Sequence, residues 1–204
     1  MIRFLVVRLP QWVTPDQLSA LGFAGAVITC AGYGLSGVSV HYLWLATFGL
    51  AVHWFGDSLD GSLARHRSIE RPRYGFFLDQ NLDVLSNLFI GAGLALSPFV
   101  RSEIAFLALF GYQMLAMYAL TRATLDRVFR VTVLNWGPTE IRALLVLMNL
   151  LILLFGAPLW TVRGFEFAWC DLSVGAFAVG FLLAFLYLVT LEAARLREED
   201  QPPG

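Results

Sequence analysis

The chain has 204 residues, 58% hydrophobic and 14% charged, with a mean hydropathy of +0.68; a soluble domain carries about 25% charge and about 45–50% apolar residues. That balance excludes a soluble globular enzyme and a disordered chain. The net charge of −1, from 14 basic and 15 acidic side chains, gives no polyanion-binding character, so no nucleic-acid partner is expected.

In chain order, residues 1–16 form a juxtamembrane segment in which Arg3 and Arg8 alternate with Phe4, Leu5, Leu9 and Trp12, a composition suited to a membrane interface. The first long apolar run begins near Leu18 with no cleavage-site pattern behind it, so a removable signal peptide is not expected. Thr14 and Pro15 read as the cap and first position of a helix. Six stretches then reach the roughly 20 apolar residues a spanning helix needs: 17–38, 41–65, 75–98, 102–121, 139–159 and 171–193. Turn chemistry separates them, at Gly34, Ser36 and Gly37, at Arg71-Pro72-Arg73, at Ser97-Pro98, at Asn135, Gly137 and Pro138, and at Pro158 and Gly164. The expected fold is all-α, one integral membrane bundle of six transmembrane helices over residues 1–204, closed by a polar tail at 195–204.

Small residues such as Gly22, Gly25, Ala26, Gly91, Gly93 and Ala95 suit close helix packing. Cys30 and Cys170 read as inert core thiols. All 14 basic residues are Arg. With the N-terminus inside, Arg3, Arg8, Arg65, Arg67, Arg71, Arg73, Arg122, Arg127, Arg130, Arg142, Arg195 and Arg197 fall on the cytoplasmic side, and only Arg101 and Arg163 fall outside. That bias predicts a multi-pass protein with both termini cytoplasmic, in the inner membrane if the source is bacterial.

Asp57 and Asp60 end the second span and Asp79 and Asp83 open the third, each among apolar neighbours. A carboxylate at a span centre costs about 2.5–3.5 kcal/mol on insertion scales, less near an interface, so four of them call for counter-charge. Asp57, Asp60, Gly61 and Ala64 share one helical face, and Gly75, Asp79 and Asp83 share another. Two such faces meeting across a short loop make an oxygen-rich site suited to Mg²⁺ or Mn²⁺. Gly61 and Ala64 clear space for a phosphorylated ligand, and Arg65 can reach a phosphate. The chemistry implied is metal-assisted phosphoryl transfer. Intramembrane acids also mark ion or proton pathways, so a transporter is the alternative, although neither paired broken helices nor internal repeats are visible; a catalytically silent scaffold is the third reading, but it has no use for four acids in register.

Read in order, the stretch is Asp57, two residues, Asp60-Gly61, two residues, Ala64-Arg65, nine residues, Gly75, three residues, Asp79, three residues, Asp83. This resembles the signature of the CDP-alcohol phosphotransferase family, which usually has eight residues between the Arg and the second Gly. The extra residue falls in the polar stretch His66 to Tyr74 and shifts neither helical face. The run Thr14-Pro15-Asp16-Gln17-Leu18-Ser19 is similar to the family's opening Pro-Asn-x-x-Thr segment, with Asp for Asn and Ser for Thr.

The resemblance implies a CDP-linked lipid or aminoalcohol donor, a hydroxyl acceptor and release of CMP. Carried over by position, it makes Asp57, Asp60, Asp79 and Asp83 ligands to Mg²⁺ or Mn²⁺, two ions being expected, and Asp83 also the general base. Asp57, Gly61, Ala64, Arg65 and Gly75 would contact the donor. For the acceptor or head group the candidates are Arg122, Thr139, Glu140 and Arg142, with Arg127 and Arg130 nearby; the Gly-Pro-Thr-Glu run is similar to the choline and ethanolamine phosphotransferase branch, and it also reads as a plain helix start. His53, one turn before Asp57, would orient that carboxylate or bond across helices. Membrane lipids and a second copy of the chain, as a homodimer, complete the expected partners.

Overall fold

A computed structural model of the chain describes residues 2–126, 137–162 and 165–200. A short helix α1 (Ile2–Arg8) leads into α2 (Pro15–Leu35). Thr14 caps α2 as its sequence implies: its hydroxyl accepts from the Gln17 backbone N–H at 3.3 Å, and the Gln17 amide oxygen accepts from the Thr14 N–H at 2.9 Å, so two of the orphan donors at the helix start are satisfied. Then follow α3 (Tyr42–His66), α4 (Pro72–Leu96), α5 (Ser102–Asp126), α6 (Pro138–Phe155) and α7 (Trp169–Glu199). All six long helices match the predicted stretches to within a few residues at most ends. By length and composition α2, α5, α6 and α7 are apolar enough to cross a membrane; α3 and α4 are 25 residues each, about 37 Å at 1.5 Å per residue, but their acidic and amide side chains lower their hydropathy.

Two differences from expectation have local causes. The fifth apolar stretch ends at Phe155, not 159, because Gly156 turns the backbone at φ +73°; beyond it Leu159–Val162 (β1) and Phe165–Ala168 (β2) pair as an antiparallel hairpin, so the bundle is not purely helical. Trp160, Thr161, Val162, Phe165 and Phe167 are aromatic or β-branched, which favours a pleated strand over a further helical turn. At the other end, α7 continues through Glu199, which makes residues 195–199 of the polar tail helical.

The bundle is built on α2 against α3, which meet almost backbone to backbone. A Cβ on Gly25 would stand 2.4 Å from the His53 nitrogen, and one on Gly56 2.4 Å from the Gly22 nitrogen. On the other side of α2, a Cβ on Gly93 of α4 would stand 2.6 Å from Cys30 Cα. Cys170 is buried, Cys30 half-buried, and both are free thiols, as expected. Away from the carboxylates, Tyr33, Leu43, Leu94, Met148, Ile152 and Cys170 share one apolar cluster. There Asp171 receives the backbone N–H of Ala168 at 2.9 Å and that of Arg101 at 2.8 Å, tying the start of α7 to the α4–α5 connection.

At the carboxylate end, α3 closes with a Schellman turn. Ser68 takes φ +55°, the Ile69 N–H donates to Ala64 O at 3.0 Å and the Ser68 N–H to Arg65 O at 3.2 Å. Because α4 begins at Pro72, only residues 67–71 connect the two helices. Arg67 there donates Nη1 to the carbonyls of Gln11 (3.2 Å) and Val13 (2.5 Å), and Nη2 to those of Leu9 (3.1 Å) and Pro10 (2.8 Å). Arg71 pairs with Asp16. The juxtamembrane segment is thereby fastened to the α3–α4 turn, with Val6 and Val13 buried against Leu18, Leu59 and Leu63.

Candidate active site

The helical spacing does what the sequence requires of it. Asp57 and Asp60 from α3, Asp79 and Asp83 from α4, and Ser19 from α2 line one small chamber, together with His53. The chamber's volume is about 10 Å³, room for one water-sized occupant. Asp60 is buried and held from both sides: Ser19 Oγ donates to its Oδ2 at 2.6 Å, and the Gly61 N–H to its Oδ1 at 2.6 Å. Asp57 accepts from Arg142 Nη1 of α6 at 2.7 Å. The Arg142 side chain is only 9% exposed, so it brings a buried positive charge to a cluster of four acids.

Among the described residues no three of these groups stand close enough around one point to hold an ion as placed. Arg142 holds Asp57 and Ser19 holds Asp60. The donor set, four carboxylates facing one chamber, is the oxygen-rich kind that suits a hard divalent cation.

Of the residues expected to contact a donor, Gly61 has Arg65 folded beside it: a Cβ there would stand 3.4 Å from Arg65 Nη1. Arg65 is exposed, and its Nη2 donates to Ser62 Oγ at 3.4 Å. Ala64 lies half-buried on the same helix, and a Cβ on Gly75, in the first turn of α4, would meet nothing within 4 Å. The acceptor candidates separate. Arg142 enters the site. Arg122, at the end of α5, lies 3.5 Å from Glu192 of α7, which also holds Arg195 at 3.3 Å. Glu140 accepts from the Gly137 N–H at 2.8 Å and so serves the start of α6; Thr139 beside it is exposed. Arg127, Arg130, Asn135, Trp136 and Arg163 lie outside the described residues.

His53 does not bond Asp57; its Nδ1 lies 3.1 Å from the Gly22 carbonyl across the α2–α3 contact. The sequence gives no sign of the second cavity, about 260 Å³, that opens between α4, α5, α6 and α7. Its walls are apolar, among them Ile90, Leu109, Leu145 and Phe177, with Asn87, Tyr112 and Arg142 at its polar edge. Arg142 thus lines this cavity while holding Asp57 of the carboxylate chamber. Its pairing with Asp57 spans 85 residues of sequence, a separation at which no local pattern signals a contact.

A helical bundle with apolar, membrane-length helices and a four-carboxylate chamber at one end is the class these features define. Residues 12–191 match the family profile described as CDP-alcohol phosphatidyltransferase, and the chain belongs to that family. Over 113 residues it is 37% identical to the archaetidylinositol phosphate synthase of Pyrococcus horikoshii, covering 55% of this chain and 56% of that protein. It is 34% identical over 87 residues to the phosphatidylinositol phosphate synthase of Cutibacterium acnes, 41% of this chain and 38% of that one. Against cholinephosphotransferase 1 of Danio rerio it is 23% identical over 174 residues, 78% of this chain and 43% of that protein. The chain spans about half the length of the curated relatives it matches.

Proposed function

We propose that this protein transfers a substituted phosphate from a CDP-linked lipid to the hydroxyl of a phosphorylated alcohol, releasing CMP, as a step of phospholipid synthesis. The observation that carries the reading is the adjacency of the four-carboxylate chamber to an apolar cavity through one buried arginine, Arg142. A lipid-linked nucleotide has the same two parts, a charged pyrophosphate and alkyl chains. The two relatives at 34% and 37% identity are both named as synthases of inositol phosphate lipids, and Arg122, Arg142 and Arg195 all sit at the carboxylate end of the bundle, where a phosphorylated acceptor would find charge-assisted partners.

In this reading all six long helices span the membrane, both termini and the site face the cytoplasm, and the protein works as a homodimer. Asp57, Asp60, Asp79 and Asp83 hold Mg²⁺ or Mn²⁺, which neutralises pyrophosphate charge when bound. Gly61 and Ala64 admit the nucleotide, Gly75 leaves room across from them, and Arg65 contacts its phosphates. Arg142 exchanges Asp57 for substrate phosphate, and Asp83 takes the proton of the acceptor hydroxyl as its oxygen bonds to phosphorus and the bond to CMP breaks. Thr139 and Glu140 line the acceptor's approach.

The test is CMP release by the purified protein in detergent with Mg²⁺ or Mn²⁺. CDP-diacylglycerol and CDP-aminoalcohols are each offered glycerol phosphate, inositol phosphate, serine and diacylglycerol. Release from CDP-diacylglycerol with a phosphorylated alcohol is expected. Release only from a CDP-aminoalcohol with diacylglycerol would replace the substrate assignment, and none from any pair would overturn the activity.

A further inference from the structure

His53 is 2% exposed and stands in the chamber wall with the four carboxylates. Its position is fixed from behind: α2 and α3 cross so closely at Gly25 that the His53 backbone is in contact with it, and the ring reaches across to the Gly22 carbonyl at 3.1 Å. A carbonyl can only accept, so Nδ1 carries the hydrogen, and in the neutral form of the ring the lone pair is on Nε2. That Nε2 is buried and has no hydrogen-bond partner among the described residues. The cross-helix bond accounts for one ring nitrogen only. A buried acceptor without a partner is costly, and the space that the His53 side chain lines is the carboxylate chamber. As placed, none of the four carboxylates is hydrogen-bonded to it. An occupant of the chamber that accepts an electron pair from Nε2 would satisfy it.

We propose that His53 is a further member of the site, presenting Nε2 as a nitrogen donor to the divalent cation of the carboxylate chamber, either directly or through a water bound to it. This rests on the cation reading of the four aspartates. Its consequence is selectivity: Mg²⁺ prefers an all-oxygen shell and keeps its waters, whereas Mn²⁺ accepts imidazole more readily. His53 would therefore bias the chamber toward Mn²⁺. Because Gly22 holds the other ring nitrogen, the same carbonyl sets both the tautomer and the ring's direction, the usual role of an outer partner to a ligating imidazole.

The experiment loads the full chain in lipid nanodiscs with Mn²⁺ and reads nitrogen coupling to the metal by pulsed electron paramagnetic resonance. Only three histidines occur, His41, His53 and His66, so a chain carrying H41Q and H66Q keeps His53 as its sole histidine. It should retain the histidine coupling, which changes to the nitrogen-15 pattern on labelling with [15N]histidine. A large coupling marks direct ligation and a small one a bridging water, and both support the proposal. H53Q should lose the coupling and weaken Mn²⁺ about 10-fold or more, with Mg²⁺ changed less. If H53Q does not fold, the labelled double variant decides alone. Mn²⁺ bound without histidine coupling would overturn the role of His53 and leave the aspartates standing; failure of Mn²⁺ to bind at all would overturn both.

Discussion

Asp83 stands one helical turn farther along α4 than Asp79, while Asp60 is pinned by Ser19 at 2.6 Å and by its neighbouring N–H. The two carboxylates therefore have different work available to them. Asp83→Asn keeps the shape and one oxygen but loses basicity, so with cation supplied it should still bind donor while transfer falls by about 10²–10⁴-fold. Asp60→Asn should weaken cation and donor binding together. Calorimetry for binding beside CMP release for turnover checks both, and near-wild-type transfer by Asp83→Asn would move the proton to another group, with Glu140 the next to test. These aspartates were legible in the sequence because separations of three and four residues fix a helical face whatever the tertiary structure. The partner of Asp57 was only half legible: Arg142 could be named as a site residue, yet its direct pairing with Asp57 depends on how α6 packs. Glu140 was legible too as part of a helix start, and the contact it makes, with the Gly137 N–H, is that one.

At the scale of the elements, the site depends on α2 and α3 touching through their glycines. Gly56→Ala puts a methyl group where only 2.4 Å separates it from the Gly22 nitrogen, and the helices must part to admit it. We expect a loss of about 1–3 kcal/mol, read as a lower thermal midpoint in detergent, with activity lost alongside because Ser19 is carried away from Asp60. Ser68 offers the opposite case. It holds φ +55° at the end of α3, a conformation that costs a residue with a Cβ but not glycine, so Ser68→Gly should stabilise by about 0.5–1 kcal/mol after glycine's greater unfolded freedom is set against it. An unchanged or lower midpoint would show that the turn is held by other contacts. Helix positions were readable from apolar run length and from Thr14-Pro15 at the start of α2. The hairpin was not, because Pro158 and Gly164 signalled a turn but the apolar composition of α6 runs on past Gly156, where the backbone breaks the helix. Nor was the four-bond hold of Arg67 on residues 9–13 visible, since an arginine near a membrane surface reads first as topology.

For the whole molecule, the orientation drawn from the arginines places the α3–α4 turn inside and the α6–α7 hairpin outside. Glu70 and Trp160 are both exposed, which makes them better reporters than Arg67, whose guanidinium is engaged. In sealed vesicles of known sidedness, a cysteine at position 70 should react with an impermeant reagent only from the cytoplasmic face and one at 160 only from the other, with Cys30 and Cys170 replaced. The reverse pattern would invert the side from which the donor is drawn.

Cation-dependent transfer is the claim on which the rest depends, because four facing carboxylates repel one another and a donor pyrophosphate alike until positive charge is supplied. The direct measurement is CMP release from CDP-diacylglycerol with a phosphorylated acceptor, after exhaustive chelation and again as Mg²⁺ or Mn²⁺ is restored. The account predicts no release in excess chelator and recovery of full turnover on titrating the cation back. Full turnover in excess chelator would contradict it.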